Sequence, residues 1–155
     1  MSQEILSKLN TTHIEEISSS RNEPEWLKNY RKSSLSVYDS LPIETSPLYN
    51  KYTDAKKMDP EKVSLSTNTA ETVPTFLQKR LGELENEICI IQIGTNIHRI
   101  NLPDELKSKG LVISSISDAV QNNFELVKKA LEASNSSDDK FTALNNAAFN
   151  SGIFI

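Results

Sequence analysis

The chain has 155 residues, a usual length for one domain, and 37% of them are hydrophobic. With 25% charged residues, four glycines and six prolines, it does not belong to the collagen-like, membrane-spanning or acidic low-complexity classes. The formal net charge of −4 argues against nucleic-acid binding, because the chain has no excess of cations to neutralise phosphates.

Two helices are predicted in the amino-terminal part. Residues 2–20 fit an amphipathic helix loosely, and the serines at 18–20 are expected to end it. Asn22 as N-cap and Pro24 in the first turn predict a stronger helix from Glu23 to Ser40. Its apolar and aromatic positions recur at three- and four-residue spacings and predict one packing face, which consists of Trp26, Leu27, Tyr30, Ser34, Val37, Tyr38 and Leu41.

The next stretch, residues 43–73, is polar and shows no sustained period, so an extended linker is predicted there. Two tyrosines in it, Tyr49 and Tyr52, favour docking of this segment on another surface. The predicted organisation is therefore a helical arm over 1–42, the linker over 43–73, and a small α+β unit over 74–155.

After Pro74 the pattern becomes regular. Apolar spacing predicts a short helix over residues 76–84, and β-rich alternation predicts a hairpin with strands 87–93 and 97–102. With Thr95-Asn96 as its two-residue loop, Cys89 lies opposite Leu102. A polar connection and a further short strand from Leu111 to Ser114 follow.

Two more helices are predicted before the chain ends. A capping box at Ser115 and Asp118 begins the first, whose inward face consists of Val120, Phe124, Val127 and Leu131. The second runs from Asp139 to Asn150 with Gly152 in the C′ position, and its inward residues are Phe141, Leu144, Ala148 and Phe149. Residues 153–155 resemble the start of a strand whose partners are missing, so we expect a fragment of a longer protein. The predicted fold class is α+β.

Cys89 is the only cysteine, which excludes an intramolecular disulfide. In the predicted register His98 lies four residues along the strands from it, roughly 13 Å at about 3.3 Å per residue. A catalytic dyad or shared metal is therefore not expected, and Cys89 is interpreted as a core residue.

Other chemistry has no support in the sequence. His13 and His98 are the only histidines, and neither a C-x-x-C nor an H-x-x-x-H pair is present for zinc. Glycine-rich phosphate-binding loops are absent. We predict no catalytic, cofactor-binding or metal residues and no enzymatic activity in this chain. Because the chain does not open on a charged stretch followed by an apolar one, a cytoplasmic location is expected.

Several short motifs resemble a known family. EPEWLKNYR at 23–31, LP at 41–42 and YNKYTD at 49–54 are similar to the amino-terminal region of SufB/SufD iron–sulfur cluster assembly proteins. FTALNNAAFNSGIFI at 141–155 resembles the family stretch Ala-Leu-Asn-x-Ala-x-x-x-x-Gly, which leads into a β-helix core. Tyr49 stands where SufD proteins more often have Trp, so SufB, SufD or an archaeal-type member all remain open.

The resemblance implies a scaffold subunit on which an iron–sulfur cluster is built, partnered by a SufC-type ATPase and by SufB or SufD. The family's cluster-related residues and its ATPase-docking helices belong to later parts of the protein, so it implies no site residue here. The resemblance therefore implies that any iron–sulfur cluster would be bound by the full-length complex and not by this segment.

A hypothesis of another class is a free-standing helical adaptor. It would bind a partner protein through the predicted helix from Glu23 to Ser40, here called the Trp26 helix, and through the Tyr49–Tyr52 segment. On either reading, the Trp26 helix must pack on the later unit or on a partner chain, because its apolar face is too large to stay solvated.

Overall fold

The computed structural model describes residues 9–42, 72–85 and 87–155. In these ranges it contains seven helices and two small antiparallel sheets, which confirms the α+β class. The predicted Tyr49–Tyr52 docking segment, residues 43–71 of the predicted linker and the first eight residues lie outside the described part.

The elements follow one another in chain order as α1 Thr11–Ser20, α2 Glu25–Ser40, α3 Thr75–Glu83, β1 Cys89–Ile93, β2 Asn96–Asn101, α4 Asp104–Ser108, β3 Ser114–Ser115, α5 Ile116–Asn122, α6 Phe124–Ala133, α7 Lys140–Ala148 and β4 Ile153–Phe154. None of the helices in the described ranges has the length and hydropathy needed to cross a bilayer.

The described residues group into two compact units. One is helical and joins residues 9–42 to 124–149, and the other combines residues 72–123 with 150–155. The predicted division into 1–42, 43–73 and 74–155 stays a prediction. What the structure adds is that the amino-terminal helices share a core with α7, because α2 packs along it.

Helix α1 confirms the second half of the first predicted helix, but it begins at Thr11, so the prediction of helix at residues 9 and 10 is wrong. Its start is a capping box, in which the Asn10 side chain accepts from the His13 N–H and the His13 ring accepts from the Asn10 N–H. The serines at 18–20 form its last turn rather than stopping it earlier, and Ser18 is buried.

The predicted N-cap of α2 is wrong. Asn22 has a φ of 50°, a left-handed conformation that asparagine tolerates, and it forms the turn between α1 and α2. Pro24 takes the N-cap position with no side-chain cap bond. The Glu23 N–H closes the turn by donating to the Ser18 carbonyl at 2.9 Å. The helix ends at Ser40, as predicted.

The inward face of α2 is rotated from the predicted one. Its buried residues are Leu27, Arg31, Ser34, Leu35 and Tyr38. Four members of the predicted face are only half-buried and lie on its flank, namely Trp26, Tyr30, Val37 and Leu41. A face chosen for apolar residues alone misses Arg31, because burial of a guanidinium depends on partners that are distant in sequence.

The core of the helical unit combines α1, α2 and α7. Its buried members are Ile14, Leu35, Tyr38, Ala143 and Ala147. The two alanines bring the backbone of α7 close to α2. Ala148 is buried as predicted, but Phe141, Leu144 and Phe149 are half-buried. The small residues of α7, together with Asn146, therefore face inward in place of its large ones.

The single helix predicted after Ser115 is two helices. Asn123, with φ −134° and ψ 36°, separates α5 from α6. The N-cap half of the predicted capping box is confirmed, since the Asp118 N–H donates to Ser115 Oγ at 3.0 Å, while the Asp118 carboxylate accepts from the Ser115 hydroxyl. Val120 and Val127 are buried as predicted, whereas Phe124, the first residue of α6, is 47% exposed.

In the second unit, the predicted C′ role of Gly152 is wrong, because α7 has already ended at Ala148. Gly152 instead precedes β4, and its carbonyl accepts from the Ile116 N–H at 2.9 Å. β4 pairs antiparallel with β3, so the terminal strand predicted to lack partners has one. The strand predicted from Leu111 is only Ser114–Ser115.

The hairpin forms, but its predicted loop and register are wrong. Gly94 and Thr95 make the turn, with Gly94 at φ 59°, and Ile93 pairs with Asn96. A bulge beside Ile91 shifts the register, which places Cys89 opposite Asn101. Helix α3 is present as predicted, and the predicted polar connection after Pro103 contains the short helix α4.

Candidate functional site

The structure does not bring the sequence candidates together into a reactive site. Cys89 is half-buried, and its Sγ lies 3.8 Å from the Leu84 carbonyl, to which it donates weakly. His98 is exposed on β2 and lies three residues from Asn101, the partner of Cys89. Across the described ranges, no three His, Cys, Asp or Glu side chains are placed to share a metal ion.

The most elaborate polar arrangement lies between α2 and α7, and Arg31 is its centre. The Arg31 side chain is fully buried and forms a bidentate ion pair with Glu23, whose side chain is 7% exposed. Nη2 donates to Oε1 at 2.7 Å and Nε donates to Oε2 at 2.8 Å. Such parallel bonds use the fork geometry of the guanidinium and neutralise a charge that could not otherwise be buried.

The same guanidinium reaches the carboxyl end of α7. Its Nη1 donates to the carbonyls of Ala147 at 3.1 Å and Phe149 at 2.8 Å. It also lies 4.0 Å from the centroid of the Phe149 ring, a cation–π contact. Arg31 therefore satisfies carbonyls at a helix end, where unpaired acceptors and the helix dipole both favour a cation.

Lys140 makes the reciprocal contact at the other end of the helix pair. It is the first residue of α7, and its Nζ donates to the carbonyls of Tyr38 at 2.7 Å and Leu41 at 3.0 Å. It also lies 4.2 Å from the centroid of the Tyr38 ring. Each antiparallel helix thus supplies the cation that caps the carboxyl end of the other. We call this arrangement the α2–α7 clamp. It consists of Glu23, Arg31, Lys140 and the backbone carbonyls to which Arg31 and Lys140 donate.

A polar network lies beside the clamp. Asn146 is 1% exposed, and its Nδ2 donates to the Ser134 carbonyl at 3.2 Å and to Ser136 Oγ at 2.9 Å. Ser136 Oγ is also 2.9 Å from Ser34 Oγ on α2. The Tyr30 hydroxyl donates to the Leu131 carbonyl at 2.9 Å, and burial raises the pKa of this phenol. These bonds connect the loop before α7 to both α7 and α2, and they connect α6 to α2.

Asp139 caps α7 from that loop. Its carboxylate accepts from the backbone N–H groups of Phe141 at 2.7 Å and Thr142 at 2.9 Å, and from the Thr142 hydroxyl. The bonds from Thr142 are the main cause of the lowered pKa of Asp139, because they stabilise the charged form. The predicted start of this helix is therefore confirmed, with a specific N-cap.

The polar side chains of the clamp and network bond to one another or to backbone carbonyls, so this arrangement stabilises helix packing. Sequence reasoning missed Arg31, Lys140 and Asn146 as packing residues. A signal was present for Arg31, which lies four residues after Leu27 and four before Leu35 and so shares their helix face. No local signal identifies the carbonyls that Arg31 and Lys140 hold.

The clamp also joins the two segments that carry the family resemblance. Glu23 and Arg31 belong to the EPEWLKNYR motif, and Ala147 and Phe149 belong to the FTALNNAAFNSGIFI motif. Residues 116 positions apart in sequence, Arg31 and Ala147, are therefore in direct contact.

Comparison with known proteins agrees with the resemblance. Relatives from Staphylococcus aureus strains USA300 and NCTC 8325 are 29% identical to this chain over 153 residues. A relative from Staphylococcus saprophyticus is 29% identical over 158 residues. All three are named iron–sulfur cluster assembly SufBD family proteins, and this similarity supports a SufBD family assignment for the chain.

The match covers 92% of this chain and 33% of each of these relatives, so the chain spans about a third of their length. No family profile matches the chain. No solved structure matches it either.

Proposed function

We propose that this chain is the amino-terminal region of a SufB/SufD-type scaffold subunit that takes part in iron–sulfur cluster assembly. Its own role is structural and interactive rather than catalytic. The observation that carries the proposal is the alignment with SufBD family proteins over 92% of the chain. The contact of Arg31 with Ala147 and Phe149 supports it, because the two motif segments form one packed unit.

The remaining properties follow from that placement. The full-length protein would act with a SufC-type ATPase and a SufB or SufD subunit in the cytoplasm, and the nascent cluster would be its cargo. In the described residues the best-formed polar arrangement holds helices together, and Cys89 is half-buried without His98 beside it. We therefore assign cluster chemistry to other parts of the full-length protein.

The adaptor hypothesis is the weaker of the two. It needs the face of α2 to be available to a partner protein. In the structure the inward face of α2 packs against α7 of the same chain, and two residues that the hypothesis needs, Trp26 and Tyr30, are half-buried on the flank of that face. The Tyr30 hydroxyl already donates to the Leu131 carbonyl. The Tyr49–Tyr52 part of that hypothesis lies outside the described residues.

The test compares two variants in the full-length protein that contains this segment. Cells that depend on it for cluster assembly would carry wild type, Arg31→Met or Cys89→Ser, and the measurements are soluble protein level, cluster-dependent enzyme activity and co-purification of the ATPase. We expect Arg31→Met to lower all three together, because the segment unfolds. We expect Cys89→Ser to leave all three near wild type.

Two results would contradict the proposal. One is normal cluster-dependent activity in cells whose Arg31→Met protein is degraded, since the protein would then be dispensable for assembly. The other is a Cys89→Ser protein that accumulates and binds the ATPase normally but supports no cluster assembly, which would give this segment a direct part in the chemistry.

A further inference from the structure

We draw no further inference here: the strongest candidate, the exposed apolar patch at the amino-terminal end of α3 with Phe76 and Leu77, carries nothing because the described residues do not show what covers it.

Discussion

Replacing Arg31 with methionine tests whether the α2–α7 clamp stabilises the helical unit. Methionine keeps much of the length and apolar stem of arginine but removes the charge and the donors. In the variant, Glu23 stays in a site where its side chain is 7% exposed, without its bidentate partner. The carbonyls of Ala147 and Phe149 also lose their donor.

The expected magnitude follows from these losses. Removing one partner of a buried ion pair costs about 3–5 kcal/mol, because the other charge is left uncompensated. For an m value near 2 kcal/mol/M, this corresponds to a urea midpoint lowered by roughly 1.5–2.5 M. Adding Glu23→Gln to Arg31→Met removes the unpaired charge and should restore about 1–3 kcal/mol.

The assay is urea unfolding followed by circular dichroism and by fluorescence of Trp26, the single tryptophan. Arg80→Met is the matched control, because Arg80 also pairs with a glutamate at 2.8 Å but its side chain is 67% exposed. We expect this control to change the free energy of unfolding by less than about 0.5 kcal/mol.

The reasoning is refuted if Arg31→Met is no more destabilising than Arg80→Met. It is also refuted if the double variant is less stable than Arg31→Met alone, since the cost would then not come from an unpaired Glu23.

Three further predictions concern other parts of the chain. Ile14→Ala, at a fully buried core position, should lower the free energy of unfolding by about 2–5 kcal/mol. The control Leu126→Ala, at a position that is 60% exposed, should change it by less than about 0.5 kcal/mol. Equal losses for the two variants in urea unfolding would contradict the assigned core. Asp139→Ala should lower the free energy of unfolding by about 0.5–2 kcal/mol near neutral pH. Because the pKa of Asp139 is lowered in the folded state, this loss should be full above the ordinary carboxyl pKa and should shrink as the pH falls through the folded pKa. Urea unfolding from pH 2 to 7 that gives a pH-independent loss would argue against the cap. After anaerobic reconstitution, metal analysis of the purified chain should find neither stoichiometric iron nor zinc, and a ratio near one that disappears in Cys89→Ser would overturn this.

The amino-acid sequence predicted those elements whose signals are local. The N-cap at Ser115 and the helix beginning at Asp139 depend on residues within three positions of each other, and both are present. The α+β class and the hairpin also follow from short-range periodicity.

Local signals failed where two conformations compete within a few residues. The alternation of apolar residues is compatible with a two-residue loop at either Gly94-Thr95 or Thr95-Asn96. The predicted loop, Thr95-Asn96, begins one residue later than the observed one. Gly94 decides it, because a positive φ at the first turn position costs glycine little. The earlier loop alone would pair Cys89 with Ile100 instead of the predicted Leu102, and the bulge between Ile91 and Gln92 then makes Asn101 its partner.

By itself, the sequence determined the hairpin, most of the longer helices and the family motifs, because these arise from neighbours along the chain. Tertiary structure alone decided that α2 turns Arg31 inward and leaves Trp26 on its flank. A buried guanidinium is stable only when its charge and donors are satisfied, and two of its acceptors, the carbonyls of Ala147 and Phe149, lie more than a hundred residues away. No pattern local to Arg31 contains that information, so the centre of the helical unit could be found only once α2 and α7 were placed side by side.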